Sequence, residues 1–300
     1  DWRSNTFQFK SDPELVAQES SRIIQEGNYE KYLSLTSEEK RQKFLEIQDL
    51  IEDENNTDEE KRKLLLKQGL ILESESKYEE AIYAYEKAIE IKPNYDAAWY
   101  NKGYALSDLG RYEEAIAAYD QALEIKPDDH YAWIGKGYAL SDLGRYEEAI
   151  SAYEKAIEIK PNYDAAWHSK GIALENLGRY EEAISAYDKA LEFQPDYDAA
   201  WYNKGNTLRN LDRHEQAISA YDKALEFQPY FDEAWYFRGI ALIKLRRFKE
   251  GNASIAKALE INPDLAKEIS SKIIKNLLTK ITWYKLKEIF TKVLRIIRLR

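Results

Sequence analysis

The sequence predicts an all-α protein built from six copies of a helical hairpin that follow one another along the chain. Tryptophan recurs every 34 residues, small residues and proline recur with the same period, and each period contains two runs with helical apolar spacing. The tryptophans are Trp99, Trp133, Trp167, Trp201 and Trp235. Leu65 occupies the equivalent position one period earlier. A period of this length indicates stacked supersecondary units that share one extended core.

The other recurring residues are in register with the tryptophans. The glycines are Gly69, Gly103, Gly137, Gly171, Gly205 and Gly239. The alanines are Ala81, Ala115, Ala149, Ala183 and Ala217, with Gly251 in the sixth place. The prolines are Pro93, Pro127, Pro161, Pro195, Pro229 and Pro263. Glycine and alanine allow two helices to approach closely, and proline ends a helix, so each copy is predicted to be a pair of antiparallel helices.

The unit from 96 to 129 shows this pattern in detail. In the first helix, the residues that share one face are Trp99, Gly103 and Leu106. In the second helix, the corresponding residues are Ala115, Tyr119 and Ala122. Gly110 is placed to adopt the left-handed conformation that ends the first helix, and Pro127 stops the second. The two helices are therefore predicted to pack closely, with large side chains on either side of Gly103 and Ala115.

The pattern W-x2-K-G-x2-L, then A-x3-Y, then P resembles the tetratricopeptide repeat. The resemblance covers residues 62–265 in six copies, which are 62–95, 96–129, 130–163, 164–197, 198–231 and 232–265. It implies a right-handed superhelical α-solenoid of antiparallel helix pairs, with helical flanking segments. Lysine replaces the usual leucine before the glycine at Lys102, Lys136, Lys170 and Lys204. We interpret these lysines as having buried stems and ammonium groups that reach solvent.

The two flanking segments are predicted to be helical. Residues 1–61 are expected to form an irregular N-terminal cap, in which Pro13 begins one helix and Thr36-Ser37-Glu38-Glu39 caps another. A polar break is expected from Asp53 to Thr57. The outer copies depart from the pattern, as is typical where a stack must end. The departures are Leu65 and Glu75-Ser76 in the first copy, and Arg246-Arg247, Gly251 and Ile255 in the last.

Residues 266–300 form a basic segment, with ten lysines and arginines against two glutamates. We expect capping or amphipathic helices here, and the basic face of the second helix is a possible further contact surface. That face consists of Lys285, Lys292, Arg295 and Arg298. Packing on the repeats is the favoured interpretation, ahead of a linker or dimerisation helix and of membrane-surface contact. Nucleic-acid binding is not expected, and self-association remains an alternative.

Composition restricts the function classes. The net charge of −10 divides into −19 for residues 1–231 and +9 for residues 232–300. Without cysteine there is no disulfide, thiolate metal site or thiol nucleophile, and a cytoplasmic location is the expectation. We find no signal peptide or membrane span. Methionine is absent even at position 1, from which we expect the chain to be part of a longer protein.

No chemistry-bearing cluster is evident in the sequence. The three histidines, His130, His168 and His214, lie in different copies and replace residues of other types in the sister copies. Glu-Glu pairs recur in copy after copy, which is typical of architecture, and no phosphate-binding glycine motif occurs. We therefore expect no metal, no cofactor and no catalytic residue, and we predict that the chain is not an enzyme.

Partner binding is predicted on the first helices, which line the concave groove in proteins of the family that the chain resembles. Transfer of those positions gives Tyr100, Asn101, Tyr104, Tyr131, Ile134, Tyr138, His168, Ser169, Ile172, Tyr202, Asn203, Asn206, Arg209, Tyr236, Phe237 and Ile240. These positions vary between copies while the packing positions barely change. Capture of a chaperone's carboxylate tail is disfavoured, because Tyr100, Ile134, His168 and Tyr202 replace the lysine that would begin the clamp.

The sequence therefore favours a scaffold that binds a protein or peptide segment in this groove. Two alternatives stay open: a sensor or substrate-recruiting region of a larger multidomain enzyme, and a self-assembling structural protein.

Overall fold

The computed structural model describes residue 32 and residues 34–265. The expectations for 1–31 and for the basic segment 266–300, with Lys285, Lys292, Arg295 and Arg298, lie outside these residues. The described part is helical and contains no strand. Its helices are α1 (Ser37–Glu52), α2 (Asp58–Ser74), α3 (Tyr78–Ile91), α4 (Asp96–Asp108), α5 (Tyr112–Ile125), α6 (His130–Asp142), α7 (Tyr146–Ile159), α8 (Asp164–Asn176), α9 (Tyr180–Phe193), α10 (Asp198–Asn210), α11 (His214–Phe227), α12 (Asp232–Lys244) and α13 (Phe248–Ile261).

The chain divides into two compact units, Asp1–Pro195 and Asp196–Arg300. The first unit contains α1 and the four helix pairs from α2/α3 to α8/α9, and the second contains the pairs α10/α11 and α12/α13. Within each unit, the two helices of a pair pack against each other, and the second helix of one pair packs against the first helix of the next. The all-α architecture of consecutive helix pairs agrees with the prediction.

Two capping boxes begin α1 and α2. The Thr36 hydroxyl accepts a hydrogen bond from the backbone N–H of Glu39, whose carboxylate accepts one from the backbone N–H of Thr36 at 2.8 Å. Thr57 and Glu60 form the same pair of bonds at the start of α2. Each box satisfies N–H groups that a helix leaves unpaired at its first turn. The cap predicted at Thr36 is confirmed, and α1 packs against α2.

A tyrosine on the second helix covers the glycine of the first helix in five pairs. The tyrosines, all buried, are Tyr85, Tyr119, Tyr153, Tyr187 and Tyr221. A Cβ atom added to Gly137 would lie 2.4 Å from Cε1 of Tyr153, which is far inside van der Waals contact. The absence of a side chain at the glycine therefore makes the space for the ring, as the sequence predicted.

The last pair achieves the same close approach with different residues. Ile255 replaces the tyrosine, and glycines stand on both helices. A Cβ at Gly239 would lie 2.9 Å from the carbonyl oxygen of Gly251, and a Cβ at Gly251 would lie 2.9 Å from that of Gly239. The backbones of α12 and α13 thus nearly touch, because neither glycine carries a side chain that would hold them apart.

A lysine, a tryptophan and a carboxylate link successive pairs. In the third pair, the Lys136 ammonium lies 5.5 Å from the ring centroid of Trp133 and 2.5 Å from an oxygen of Asp120 on the preceding helix. The same link joins Lys170 to Glu154 at 2.8 Å. The lysine stems are half-buried as predicted, but the ammonium groups are paired with carboxylates rather than simply solvated. The tryptophan also contacts the loop between the two pairs, since Trp133 Nε1 donates a hydrogen bond to the carbonyl of Pro127 at 2.9 Å.

The turns inside the pairs use left-handed residues. Gly110, Gly144 and Gly178 have φ between 73° and 74°, and the N–H of the residue after Gly110 donates back to Leu106 at 2.9 Å. This is the glycine-ended helix that the sequence predicted. In the other three pairs, side-chain-bearing residues adopt the same conformation, namely Ser76 (φ 59°), Asp212 (φ 56°) and Arg246 (φ 61°).

Replacing Arg246 by glycine is expected to stabilise the protein by about 1 kcal/mol, because the left-handed conformation costs a residue with a Cβ about that much. Arg246 is exposed, so little packing is lost. The matched control is Gly144→Ala, where nothing lies within 4 Å of the added Cβ, and it is expected to destabilise by a similar amount. Urea unfolding followed by circular dichroism measures both changes. Unchanged or lower stability of Arg246→Gly would contradict the prediction.

Candidate functional site

Nine of the 16 predicted groove residues lie on the first helices of the first unit. Helices α4 and α6 contact each other, and so do α6 and α8, so their outer faces adjoin. Ser169 on α8 donates a hydrogen bond from Oγ to the Tyr138 hydroxyl on α6 at 3.2 Å. This direct contact brings residues of different copies onto one surface.

Five of the 16 predicted groove residues are buried, none more than 6% exposed. They are Tyr100, Asn101, Ile134, His168 and Ser169. Their assignment as accessible groove residues is therefore corrected. Ile134 is enclosed by a cluster that includes Ala156 on α7 and Ala165 on α8. Small alanines let the next helix pair approach closely. That pair therefore covers the first-helix residues against which it packs.

The buried polar members of this set are held by local contacts. Asn101 donates from Nδ2 to the carbonyl of Ala97 at 2.8 Å. The ring of His168 lies 5.8 Å from that of Tyr187. Burial lowers the pKa of His168 to about 4, because the protein interior disfavours the charged imidazolium. His168 is therefore a neutral packing residue at pH 7, which agrees with the structural role expected for the histidines.

Four of the predicted residues remain half-buried in the first unit, namely Tyr104, Tyr131, Tyr138 and Ile172. Tyr104, Tyr138 and Ile172 occupy the same position in three successive copies. The ring of Tyr138 packs 5.8 Å from that of Tyr153. Tyr131, Tyr138 and Ile172 are thus packed on one side and accessible on the other, which suits a surface that contacts a ligand.

The second unit contains seven of the predicted residues, and all are half-buried. They are Tyr202, Asn203, Asn206, Arg209, Tyr236, Phe237 and Ile240. The Arg209 guanidinium lies 4.8 Å from the ring centroid of Phe237, and the ring of Tyr202 lies 4.6 Å from that of Phe231. Asn206 Oδ1 accepts a hydrogen bond from the Tyr221 hydroxyl at 2.8 Å. These contacts form an aromatic surface that carries one cation.

A row of carboxyl and phenol groups at the turns of the first unit was not predicted from the sequence. We call Tyr78, Asp108, Tyr112 and Asp142 the acidic tyrosine row. Tyr78 lies close enough to Asp108 for its hydroxyl to interact with that carboxyl group, and Tyr112 experiences the charges of both aspartates. Asp108 and Asp142 are exposed residues that end α4 and α6. Their position was the available signal, because the helix dipole disfavours a carboxylate at a helix C-terminus.

Surrounding protein atoms perturb these carboxyl groups. Loss of solvation raises the pKa of Asp108 above its usual value, although the residue also presents surface to solvent. The pKa of Asp142 is raised for the same reason. Glu73 lies behind the row at 3% exposure, and burial raises its pKa to about 8. Ionisation of these carboxyl groups is therefore less favourable than it would be in water.

Protein-family models describe most of the repeats. Tetratricopeptide repeat models match residues 66–130, 100–164, 168–231 and 232–265. The chain belongs to the tetratricopeptide repeat family. The matched ranges together span well over half of the chain, so the resemblance noted in the sequence is confirmed.

Solved tetratricopeptide repeat structures share the fold. The crystal structure of MamA is 26% identical, with a TM-score of 0.52 over 55% of this chain and 96% of that one. YrrB, described as a TPR protein with an unusual peptide-binding site, is 25% identical, with a TM-score of 0.54 over 64% of this chain and 98% of that one. The pilF protein of Pseudomonas aeruginosa, at 19% identity, gives a TM-score of 0.61 over 72% and 99%. A search of curated proteins finds no match for the chain.

Residues 34–265 contain neither a metal-binding cluster of side chains nor a helix that could span a membrane. Among residues 34–265, no group of three or more histidine, aspartate and glutamate side chains is arranged to hold a metal ion. In the same part of the chain, no helix is both long and apolar enough to cross a membrane. The ring of His130 lies 4.0 Å from that of Tyr131, and His214 lies 3.5 Å from Asp212.

Proposed function

We propose that this chain is a non-catalytic, cytoplasmic scaffold that binds a segment of a partner protein on the accessible first-helix residues. The observation that carries the proposal is the aromatic row of the first unit. Tyr104 and Tyr138 are half-accessible at one position of neighbouring helices, where the next copy has Ile172. Tyrosine offers a large contact area and a hydroxyl group at a small loss of rotamer entropy, which is typical of protein-binding surfaces.

The difference between packing and surface positions supports the proposal. Within the repeats, the tyrosines that cover the glycines are the same in five pairs, whereas the accessible position changes from Tyr104 to Ile172 and then to Asn206. Folding of the pair does not require this variation, because the close packing of a pair is made by the glycine of the first helix and the tyrosine of the second. The accessible position takes no part in that contact. The likeness to YrrB, a protein described as having a peptide-binding site, agrees with this function.

The double variant Tyr104→Ala/Tyr138→Ala tests the proposal. We expect at least about a tenfold loss of partner captured from native lysate, since truncation of two central aromatic contacts commonly costs more than 1.4 kcal/mol of binding free energy. Quantitative mass spectrometry of the captured proteins gives the comparison with the unchanged chain. Circular dichroism confirms that helical content is preserved.

The matched control is Tyr83→Ala/Tyr230→Ala. Both tyrosines are strongly exposed and lie outside the first helices, so this variant loses the same side chains elsewhere. We expect it to retain the partners. Equal retention by both double variants would show that the first-helix surface is not where partners bind.

A further inference from the structure

Two members of the acidic tyrosine row, Asp108 and Asp142, share a helix face with the proposed binding surface, and the other two, Tyr78 and Tyr112, begin the second helices α3 and α5. Asp108 follows Tyr104 by four residues on α4, and Asp142 follows Tyr138 by four residues on α6. Residues with this spacing are neighbours on a helix surface. The carboxyl groups therefore extend the aromatic surface toward the turns between the paired helices.

Within the part of the chain that the structure describes, no lysine or arginine neutralises the two aspartates. Elsewhere in the first unit, carboxylates pair closely with lysines, as Glu86 does with Lys102 at 2.7 Å. Asp108 and Asp142 form no ion pair within the described residues, and the last turns of α4 and α6 hold no basic residue. Such a residue would be favourable there because of the helix dipole, and α12 carries Lys244 in its last turn.

Glu73 provides a second, independent observation. Its carboxyl group lies against the row, where it interacts electrostatically with Asp108 and Tyr78. One oxygen accepts a hydrogen bond from the Tyr85 hydroxyl at 2.8 Å, whereas the buried Oε1 has no hydrogen-bond partner. A buried polar atom is normally satisfied. Within the described residues, neither Glu73 nor Asp108 forms an ion pair, although their carboxyl groups lie close enough to interact.

We propose that the acidic tyrosine row binds lysine or arginine side chains of a partner segment whose apolar residues contact Tyr104 and Tyr138. This inference rests on the proposed function and names the chemistry of its ligand. Asp108 and Asp142 pair with the cationic groups, and the ring of Tyr112, between them, packs against a cationic side chain. The occupant is a basic and apolar segment of another protein, chosen by charge complementarity.

The alternation of groups along the row fits such a ligand. Tyr78 lies beside Asp108 without occupying all the lone pairs of that carboxylate, which can therefore accept from an ammonium or guanidinium group. Because loss of solvation raises the pKa of Asp108 and Asp142, a bound cation would restore favourable surroundings for their charged forms. Lysine and arginine stems also cover aromatic surface while their charged ends reach a carboxylate.

Binding of a fluorescent peptide to the full chain tests the proposal. The probe is a short peptide of alternating lysine and leucine, and its comparison is the same peptide with glutamate in place of lysine. Fluorescence anisotropy is expected to show binding of the lysine peptide that weakens as salt rises, and at least about tenfold weaker binding of the glutamate peptide. Equal binding of the two peptides overturns the proposal, and so does failure of the lysine peptide to bind.

The variant Asp108→Asn/Asp142→Asn locates the site. We expect it to bind the lysine peptide at least about tenfold more weakly than the unchanged chain. The fold accommodates asparagine at this position, because Asn176 and Asn210 occupy it in two other copies. The matched control Glu113→Gln/Glu147→Gln removes the same charge from exposed first-turn residues of α5 and α7, and its affinity is expected to stay within about twofold.

Equal weakening in both variants would mean that the peptide responds only to the net negative charge of the chain, which contradicts the proposal. The test also separates this inference from the proposed function. If Tyr104→Ala/Tyr138→Ala loses its captured partner while Asp108→Asn/Asp142→Asn keeps it, the surface binds a partner but the row does not select a basic one.

Discussion

Replacement of Tyr153 by alanine is expected to lower the free energy of unfolding by about 3 to 5 kcal/mol, the usual cost of deleting a large buried aromatic side chain. The ring is almost fully buried between α6 and α7 and lies directly over Gly137. Its hydroxyl also hydrogen-bonds Ser141 at 3.1 Å. Urea unfolding followed by circular dichroism measures the loss. The control Tyr153→Phe removes only the hydroxyl group and is expected to cost about 1 kcal/mol.

A double-mutant cycle gives a sharper form of this prediction. Gly137→Ala alone is expected to destabilise by about 1 to 3 kcal/mol, because the added methyl overlaps the ring of Tyr153. In the Tyr153→Ala background the ring is absent, so the same methyl partly fills the cavity and its cost falls. The coupling free energy is therefore expected to be at least about 1 kcal/mol. Additive effects would contradict the close packing of this glycine and tyrosine.

The second large effect concerns Glu73 and pH. Burial raises the pKa of this carboxyl group to about 8 in the folded protein, from 4.5 for an unperturbed glutamate. Below pH 4.5, Glu73 is protonated in both the folded and the unfolded protein, and the full stability is present. As pH rises through this interval, the unfolded chain loses its proton first, so stability falls until the folded pKa is passed. The total loss is of the order of a few kcal/mol.

Glu73→Gln removes this titration. The variant is expected to resemble the parent protein near pH 5 and to be increasingly more stable than it toward pH 9, which thermal unfolding at several pH values measures. Glu80→Gln is the control, because that residue is exposed and water solvates its charge. A constant difference between Glu73→Gln and the parent across this pH range would show that Glu73 is not held protonated by burial.

The sequence was sufficient to predict the helix pairs because their determinants recur. Each glycine, its covering tyrosine and the proline that follows occupy fixed places, and a single unit explains all the others. The exceptions were also visible as residues: Arg246 stands where Gly144 stands in the third copy, and the structure shows both in the left-handed conformation. Local physical rules therefore determine most of the fold.

The accessible surface was harder to predict, since it depends on how closely the next pair approaches. Helical periodicity places Tyr100 and Tyr104 on adjoining faces but does not show that only Tyr100 is covered. The burial of Ile134 depends on Ala165, more than 30 residues later in the chain. Asp108 and Asp142 were not predicted for another reason: each is an exposed last residue of a first helix, where a carboxylate is ordinarily no more than solvated surface.

The lysine link between successive pairs has a consequence for the ancestry of the chain. Lys136 pairs with Asp120, and Lys102 pairs with Glu86 in the same geometry one period earlier. Removal of residues 96–129 would bring Glu86 into the place of Asp120, so Lys136 would again have a carboxylate partner. Copies can therefore be lost or gained as whole units without leaving an unmatched charge, and the length of the array can change in evolution while each junction stays the same.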